Sequence, residues 1–215
     1  LIWMGDVEFM MTQLEQKINL GFSCIKIKVG AIDFESECNF LAQIRKRFHS
    51  SDLMLRLDAN GAFQPEHAMQ KLNRLSEYKI HSIEQPIAPG QRKEMTTLCK
   101  TSPIPIALDE ELIGINSNQE KVDLIQEIKP QYIIIKPSLV GGWQGADQWV
   151  SIAERHAVDW WATSALESNI GLNAIAQWVS TKQINLPQGL GTGGLFTNNI
   201  DTPLYLRGQK MGFDF

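Results

Sequence analysis

The sequence predicts an α/β fold in which parallel strands alternate with helices and close into a TIM-like barrel. Eight strand-like pieces are separated by seven helical patterns, in units of about 25 to 30 residues. Units of this kind form parallel sheets with helical crossovers. Polar residues recur where most of these strands end, as in a barrel, whereas an open doubly wound sheet would concentrate them at one switch point. We therefore expect a barrel, with the open sheet as the alternative.

The helices are predicted from apolar residues that recur every three or four positions. Gly21 is placed to end the first helix, Pro65 to open the third and Pro130 to follow the fifth. The predicted helices span residues 7–20, 34–48, 65–75, 93–100, 119–128, 144–156 and 169–181.

The strands are predicted from short apolar or alternating runs bounded by Gly, Pro or Asn. Residues 132–136 are the clearest of them, and the last is the glycine-rich piece before the C-terminal stretch. The predicted strands span residues 1–5, 24–30, 54–61, 80–85, 104–110, 132–136, 158–164 and 189–195.

Composition places the chain among ordinary globular proteins and excludes several function classes. The 215 residues are 43% hydrophobic and 20% charged, without a linker, so we expect one domain over residues 1–215. No apolar run approaches the ~20 residues of a membrane span. The net charge of −4, without a basic block, argues against nucleic acid as a partner. Three cysteines without metal spacing suit a reducing cytoplasm.

The second strand carries two lysines on one face. Because side chains alternate along a strand, Lys26 and Lys28 point one way while Ile25, Ile27 and Val29 point the other. Burying an ammonium group without a partner is costly, so either anions or a deprotonated lysine are expected close by. An exposed edge strand with solvated lysines is the alternative for this motif taken alone.

One charged residue follows in each of the next strand–helix units. Asp58 lies 30 residues after Lys28, Glu84 another 26, Asp109 another 25 and Lys136 another 27, each at the carboxyl end of a strand. Taken singly, each acidic residue could belong to a turn or to the solvated surface. The shared period and position predict instead that all five side chains converge in the barrel mouth.

Three carboxylates without a neighbouring histidine or cysteine form a hard-oxygen site, for which Mg²⁺ is the expected ion. Lys28 and Lys136 should approach it from opposite sides of the barrel. This arrangement suits removal of a proton beside a carboxylate, because cationic groups stabilise the enediolate that results. Lys28 must be neutral part of the time to act as the base. The site would accept a small-molecule carboxylate with several negative charges.

These residues make the chain resemble a known superfamily. The motifs are Lys26-Ile27-Lys28, Asp58-Ala59-Asn60, Glu84-Gln85-Pro86, Asp109-Glu110 and Ile135-Lys136-Pro137. With them the chain resembles, over essentially its whole length, the catalytic (β/α)7β barrel of the enolase superfamily, in the muconate-lactonizing-like group. Members carry an N-terminal capping domain that is absent from this chain. We therefore expect the chain, which starts at Leu1 in an apolar piece, to be the barrel portion of a longer enzyme.

Two stretches near the C-terminus narrow the resemblance. Residues 164–171 and 191–199 resemble the o-succinylbenzoate synthases of menaquinone biosynthesis. The resemblance implies a carbon–oxygen lyase that catalyses syn dehydration of 2-succinyl-6-hydroxy-2,4-cyclohexadiene-1-carboxylate (SHCHC) to o-succinylbenzoate. By the same resemblance Lys28 is the base, which also returns the proton to the leaving hydroxide, and Lys136 stabilises the enediolate.

The resemblance also implies the remaining roles. Asp58, Glu84 and Asp109 would hold Mg²⁺, with Mn²⁺ as a substitute. Substrate would be positioned by Lys26, Asn60, Ser164, Gly191 and Gly193. The expected partners are the substrate, the capping domain and, as an open question, further copies of the chain. The alternatives are an N-acylamino-acid racemase or dipeptide epimerase of the same superfamily and a non-catalytic binding barrel.

Overall fold

The computed structural model describes residues 1–194 and 196–214, and in that part of the chain helices alternate with parallel strands. The helices are α1 Val7–Asn19, α2 Phe34–Arg47, α3 Pro65–Ser76, α4 Arg92–Thr101, α5 Asn118–Ile128, α6 Gly142–Arg155 and α7 Asn169–Ser180, with a 3-10 turn at Glu110–Leu112. The strands are β1 Cys24–Lys28, β2 Met54–Asp58, β3 Ser82–Glu84, β4 Ile106–Leu108, β5 Tyr132–Ile135 and β6 Asp159–Ala162, followed by β7 Leu204–Arg207 and β8 Lys210–Phe213.

The six strands β1 to β6 pair in sequence order, all parallel, and form a curled half-barrel. Pairing of each strand with the next is the arrangement predicted for a barrel and excludes the doubly wound sheet, whose order would reverse at a switch point. The α/β barrel-like class is thereby confirmed. All seven predicted helices are present within the described residues, with ends that differ from the prediction by at most two residues.

The two faces of the sheet are packed differently. Ile25, Ile27 and Val29 of the first strand region are buried in the main apolar core, which lies between sheet and helices. The inner face carries only a small apolar cluster of Ala107, Ile134 and Trp161. Apolar packing therefore lies mostly outside the sheet, and the inner face is left to the polar residues.

The prediction of eight regular strands is wrong at both edges of the sheet. Ile2 forms a single parallel bridge with Ile27, because both backbone polar groups of the next residue, Trp3, are bound by the side chain of Gln13. At the other edge Gly189 forms a single bridge with Thr163. A Cβ at Gly189 would lie 2.5 Å from Thr163 Oγ1, so only glycine fits this approach.

The C-terminal stretch forms an antiparallel hairpin that the sequence analysis did not predict. Strands β7 and β8 pair across the two-residue loop Gly208-Gln209, in which Gly208 has φ +59°. Glycine adopts this left-handed conformation without steric cost. Leu195, in the predicted last strand and in the motif of residues 191–199, lies outside the described residues.

Two further features are the state of the cysteines and the length of the helices. All three cysteines are free thiols. Within the described residues, every helix is too short or too polar to span a bilayer.

Candidate active site

The parallel register places the predicted residues in one row at the carboxyl end of the sheet. Lys28 is the register partner of Asp58, and Asp58 is the partner of Glu84 on the next strand. Asp109 directly follows β4, and Lys136 directly follows β5. The structure therefore brings together the five residues that recur once per strand–helix unit.

Lys26 links two of the buried carboxylates. Its Nζ lies 2.9 Å from Asp58 Oδ2 and 2.9 Å from Glu84 Oε2, with Glu84 Oε1 at 3.2 Å. Burial alone would lower the pKa of Lys26, but the charges of Glu84 and Asp58 outweigh burial and raise it. Lys26 is therefore an ammonium group that two carboxylates bind, and its charge partly neutralises the acidic cluster.

Lys28 ends a polar chain that leads to the rim of the barrel. Its Nζ donates to Asp58 Oδ2 at 2.7 Å and also to Asn60 Oδ1. The other side of the Asn60 amide donates through Nδ2 to Glu110 Oε1 at 2.9 Å. Because a carboxylate only accepts hydrogen bonds, Glu110 turns the Asn60 oxygen toward Lys28.

Lys136 approaches the same cluster from the other side. Its Nζ is hydrogen-bonded to Asp109 Oδ2. Burial would lower the pKa of Lys136, but Asp109 and Glu84 together raise it. Lys28 and Lys136 thus contact different carboxylates of one cluster and come from strands four positions apart in the sheet.

Burial and the neighbouring lysines shift the pKa values of the carboxylates in opposite directions. Burial would raise the pKa of Asp58, but Lys26 and Lys28 hold it below its ordinary value. Burial raises the pKa of Glu84 well above its ordinary value; Lys26 opposes this shift, while Asp58 and Asp109 add to it. Glu84 therefore lies where further positive charge would be stabilising.

This cluster fits a hard divalent cation. Its oxygen atoms belong to carboxylates, the ligand type that Mg²⁺ prefers, and Asp58, Glu84 and Asp109 are only 0%, 1% and 2% exposed. In the described part of the chain, no three His, Cys, Asp or Glu side chains are already grouped around a point as a metal centre. Lysine ammonium groups contact the carboxylates instead. The assignment of these three residues as metal ligands stays a prediction.

A cavity of about 410 Å³ opens above the cluster. Of the predicted site residues, those that line it are Lys26, Lys28, Lys136, Ser164 and Gly191. The three carboxylates lie behind the lysines, and neither Asn60 nor Gly193 is among the lining residues that the structure describes. A larger groove of about 640 Å³ lies between α7 and the hairpin, but its described lining contains no charged side chain.

The predicted substrate-positioning residues near the C-terminus are engaged in loop structure. Ser164 Oγ accepts from Leu166 N at 2.8 Å, and Leu166 has φ +66°. The Gly193 carbonyl accepts from Asn199 Nδ2 at 2.7 Å. The roles of Ser164, Gly191 and Gly193 toward a substrate therefore stay predictions.

Two polar residues beside the cluster, Arg56 and Gln85, were not predicted from the sequence as site residues. Arg56 is only 4% exposed, its guanidinium lies 3.8 Å from the ring centroid of Trp161, and its Nη1 donates to the Pro187 carbonyl at 2.8 Å. It shares the inner face with Asp58, so the strand alternation could have identified it. Gln85 is completely buried and contacts the segment that carries Asp109. In the sequence, only the position of Gln85 directly after Glu84 indicates a role in the site.

Comparisons with known proteins identify the family of the chain. Residues 10–193 match the family model described as Enolase C-terminal domain-like. The chain is 52% identical over 212 residues to the o-succinylbenzoate synthase of Desulfotalea psychrophila (strain LSv54 / DSM 12343), a match that covers 99% of this chain and 57% of that protein. It is 28% identical over 178 residues to the L-Ala-D/L-Glu epimerase of Bacillus subtilis (strain 168), covering 82% of this chain and 48% of that protein.

Solved structures give the same result. The crystal structure of MenC from Desulfotalea psychrophila LSv54 superposes with a TM-score of 0.92 at 51% identity, covering 98% of this chain and 58% of that one. A substrate-liganded complex of the L-Ala-D/L-Glu epimerase from Bacillus subtilis shares the fold, with a TM-score of 0.88 at 23% identity, covering 99% of this chain and 59% of that one. The chain thus spans about half of the length of these relatives, from 48% to 59%. The chain belongs to the enolase C-terminal domain-like family.

Proposed function

We propose that residues 1–215 form the catalytic barrel domain of an o-succinylbenzoate synthase, which dehydrates SHCHC to o-succinylbenzoate in menaquinone biosynthesis. The observation that carries the proposal is the pair of lysines, Lys28 and Lys136, that contact one buried carboxylate cluster from two sides. The 52% identity to a named synthase over 99% of the chain supports this choice of reaction.

The proposed reaction assigns one task to each lysine. Neutral Lys28 takes the proton from the ring carbon beside the substrate carboxylate, and the Lys136 ammonium stabilises the negative charge of the enediolate. The ring carbon–oxygen bond then breaks, and Lys28 returns its proton to the departing hydroxide, so that water leaves and the ring becomes aromatic. General acid–base catalysis of this kind contributes about 10² to 10⁴-fold.

The family's enzymes typically depend on a divalent metal, and we propose Mg²⁺, with Mn²⁺ as a substitute. Asp58, Glu84 and Asp109 would hold it, because each is a buried carboxylate at or directly after the carboxyl end of a neighbouring strand. A divalent cation at this place would supply positive charge that polarises the substrate carboxylate. Lys26 links two of these carboxylates, because its ammonium group binds both Asp58 and Glu84.

The relatives are longer than this chain, and their remaining length suggests that a further domain packs on the barrel. We propose that an N-terminal capping domain covers the cavity above Lys28 and Lys136, where it would exclude water and hold the remote succinyl end of SHCHC. A cytoplasmic location and association into homo-oligomers also stay proposals.

A second candidate is racemisation or epimerisation of an N-acylated amino acid or a dipeptide. The observation that favours it is again the lysine pair, because two bases on two sides of a carbon can remove a proton from one face and return it to the other. The 28% identity to an L-Ala-D/L-Glu epimerase supports this candidate more weakly than the synthase match supports dehydration.

The test is a direct comparison of substrates. The 215-residue chain, alone and fused behind the N-terminal part of the Desulfotalea synthase, is incubated with SHCHC and with N-succinyl amino acids. We expect the fused protein to form o-succinylbenzoate, and the Lys28→Ala variant of the same fusion to form none. Turnover of N-succinyl amino acids without dehydration of SHCHC would replace the synthase by the racemase. A fused protein that turns over neither would overturn both.

A further inference from the structure

We propose that Gln85 is a positioning residue that holds Asp109 in place relative to Glu84 and Asp58, and thereby shapes the divalent-cation site. The inference rests on the proposed function, because that function supplies the cation. It concerns a residue that makes no predicted contact with metal or substrate. Its evidence is a set of hydrogen bonds that join the three segments carrying the carboxylates.

The Gln85 amide uses its full hydrogen-bonding capacity. Its Oε1 accepts from the backbone N–H of Asp109 at 3.2 Å and of Glu111 at 3.4 Å. Its Nε2 donates to the Ile87 carbonyl at 3.0 Å and to Glu111 Oε2 at 3.3 Å. Two accepted and two donated bonds are what a primary amide can make at such a site. A buried amide with every partner present is a rigid link between the segments that it joins.

These partners allow only one orientation of the amide. A flipped amide would direct its NH₂ group at two backbone N–H groups and its oxygen at a carbonyl and a carboxylate. A methionine or leucine at position 85 would remove this partner from the Asp109 and Glu111 N–H groups and from the Ile87 carbonyl, and would leave Glu111 Oε2 with Gly90 N alone. Glutamate would place a second carboxylate beside that of Glu111. The site therefore requires both a donor and an acceptor on a side chain of this length.

The backbone of Gln85 extends the link to the other carboxylates. Its N–H donates to the Ala107 carbonyl at 2.9 Å, and its carbonyl accepts from Gly61 N at 2.7 Å. Ala107 precedes Asp109 by two residues, and Gly61 follows Asp58 by three. Gln85 itself directly follows Glu84, so one residue contacts all three segments that carry a carboxylate.

The conformation of Gln85 is consistent with such a role. Its φ is +39°, a left-handed value that non-glycine residues rarely adopt. A strained residue of this kind persists where its surroundings hold it, and such residues gather at functional sites. The segment around Asp109 also needs hydrogen bonds from other segments. Asp109 lies beyond the end of β4 and adopts φ −127° and ψ −80°.

Glu111 extends the hydrogen-bond network of Gln85 to the loop after β3. Its carboxylate accepts from Gly90 N at 3.0 Å through Oε1 and at 3.2 Å through Oε2. The loop after β3 is thereby tied to the turn after β4, with Gln85 between them. Removing the Gln85 amide should let the segment around Asp109 move as a unit away from Glu84.

The experiment measures Mg²⁺ affinity by calorimetry in the 215-residue chain and in the Gln85→Met variant. Loss of a residue that orients a metal ligand typically weakens binding by about 10 to 100-fold, and we expect a loss in that range. We also expect the Asp109 and Glu111 amides to exchange with solvent faster in Gln85→Met, since each loses its acceptor. Should Gln85→Met not fold, Gln85→Asn takes its place. Asparagine tolerates a left-handed φ but is one methylene too short to reach Asp109.

The matched control is Gln131→Met. Gln131 Oε1 accepts from Ile106 N at 2.9 Å and Nε2 donates to the Cys99 carbonyl at 3.1 Å, so its amide supports the same strand at the opposite end. The control should leave Mg²⁺ affinity unchanged. Equal affinity in the parent and in the Gln85 variant would overturn this inference alone, as would an equal loss in the control. A parent chain that binds no divalent cation would overturn the metal assignment of the proposed function and this inference with it.

Discussion

Replacing Lys26 by methionine tests whether the lysines hold the acidic cluster together. Lys26→Met retains most of the apolar stem but removes an ammonium group that lies 2.9 Å from Asp58 Oδ2 and 2.9 Å from Glu84 Oε2. One such pair is worth about 6 kcal/mol at an effective dielectric constant of about 20, before the cost of desolvation. Removing one partner of a buried pair costs about 3 to 5 kcal/mol, because the remaining charge stays buried. We expect the free energy of unfolding to fall by about that amount.

Urea unfolding at pH 7 without divalent cations measures this loss. The control is Lys182→Met, which breaks the pair of Lys182 with Asp147 at 2.6 Å, where the side chains are 24% and 51% exposed. An exposed pair contributes at most about 1 kcal/mol. If Lys26→Met lost no more stability than the control, the cluster would not depend on Lys26. Added Mg²⁺ should restore part of the loss in Lys26→Met and none in Lys182→Met.

The same variant has a defined pH dependence. Without Lys26, the Glu84 pKa loses the positive charge that most strongly opposes the upward shift caused by burial and the neighbouring carboxylates. A carboxyl whose pKa is higher in the folded state binds protons more readily when folded, so stability rises as pH falls through that range. The deficit of Lys26→Met should therefore shrink from pH 7 toward pH 5. A deficit that is constant with pH would contradict this assignment of the charges.

The remaining predictions concern catalysis, metal binding and the titration of His81. Lys28→Ala and Lys136→Ala should each reduce turnover by about 10²-fold or more without unfolding the chain, and steady-state kinetics with circular dichroism checks this; retention of a tenth of the rate would refute the assigned role. Mg²⁺ binding, measured by calorimetry, should weaken in Asp58→Asn, Glu84→Gln and Asp109→Asn, and unchanged affinity in any of them would remove that residue from the ligand set. His81 has its pKa lowered to about 4 by burial and by Arg56. Its folded-state pKa lies below the ordinary value of 6.5, so stability should fall as pH drops from 6.5 to 4, by about 1 to 2 kcal/mol after allowance for partial exposure. His81→Asn should lack this loss, and an identical acid profile in the variant would show that other groups cause it.

Local sequence patterns were enough to predict the helices, most of the strands and the row of charged residues. Periodicity assigns Ile25, Ile27 and Val29 to the helix side of the sheet and Lys26 and Lys28 to the other, and the structure confirms this division. These features depend on alternation within a few residues. The recurrence of charged residues from Lys28 to Lys136 depends on the length of the strand–helix unit, which can also be read from the sequence.

Tertiary contacts decided what happens at the edges of the sheet and how the site is held. Ile2 and Gly189 form single bridges where Gln13 binds the residue after Ile2 and Thr163 lies against Gly189, and both contacts join residues at least ten positions apart in the sequence. Likewise, nothing in the local pattern around Gln85 shows that its amide meets Asp109, 24 residues away. A side chain's hydrogen-bond partners depend on which distant segments are brought within about 3 Å, and only the folded chain determines that.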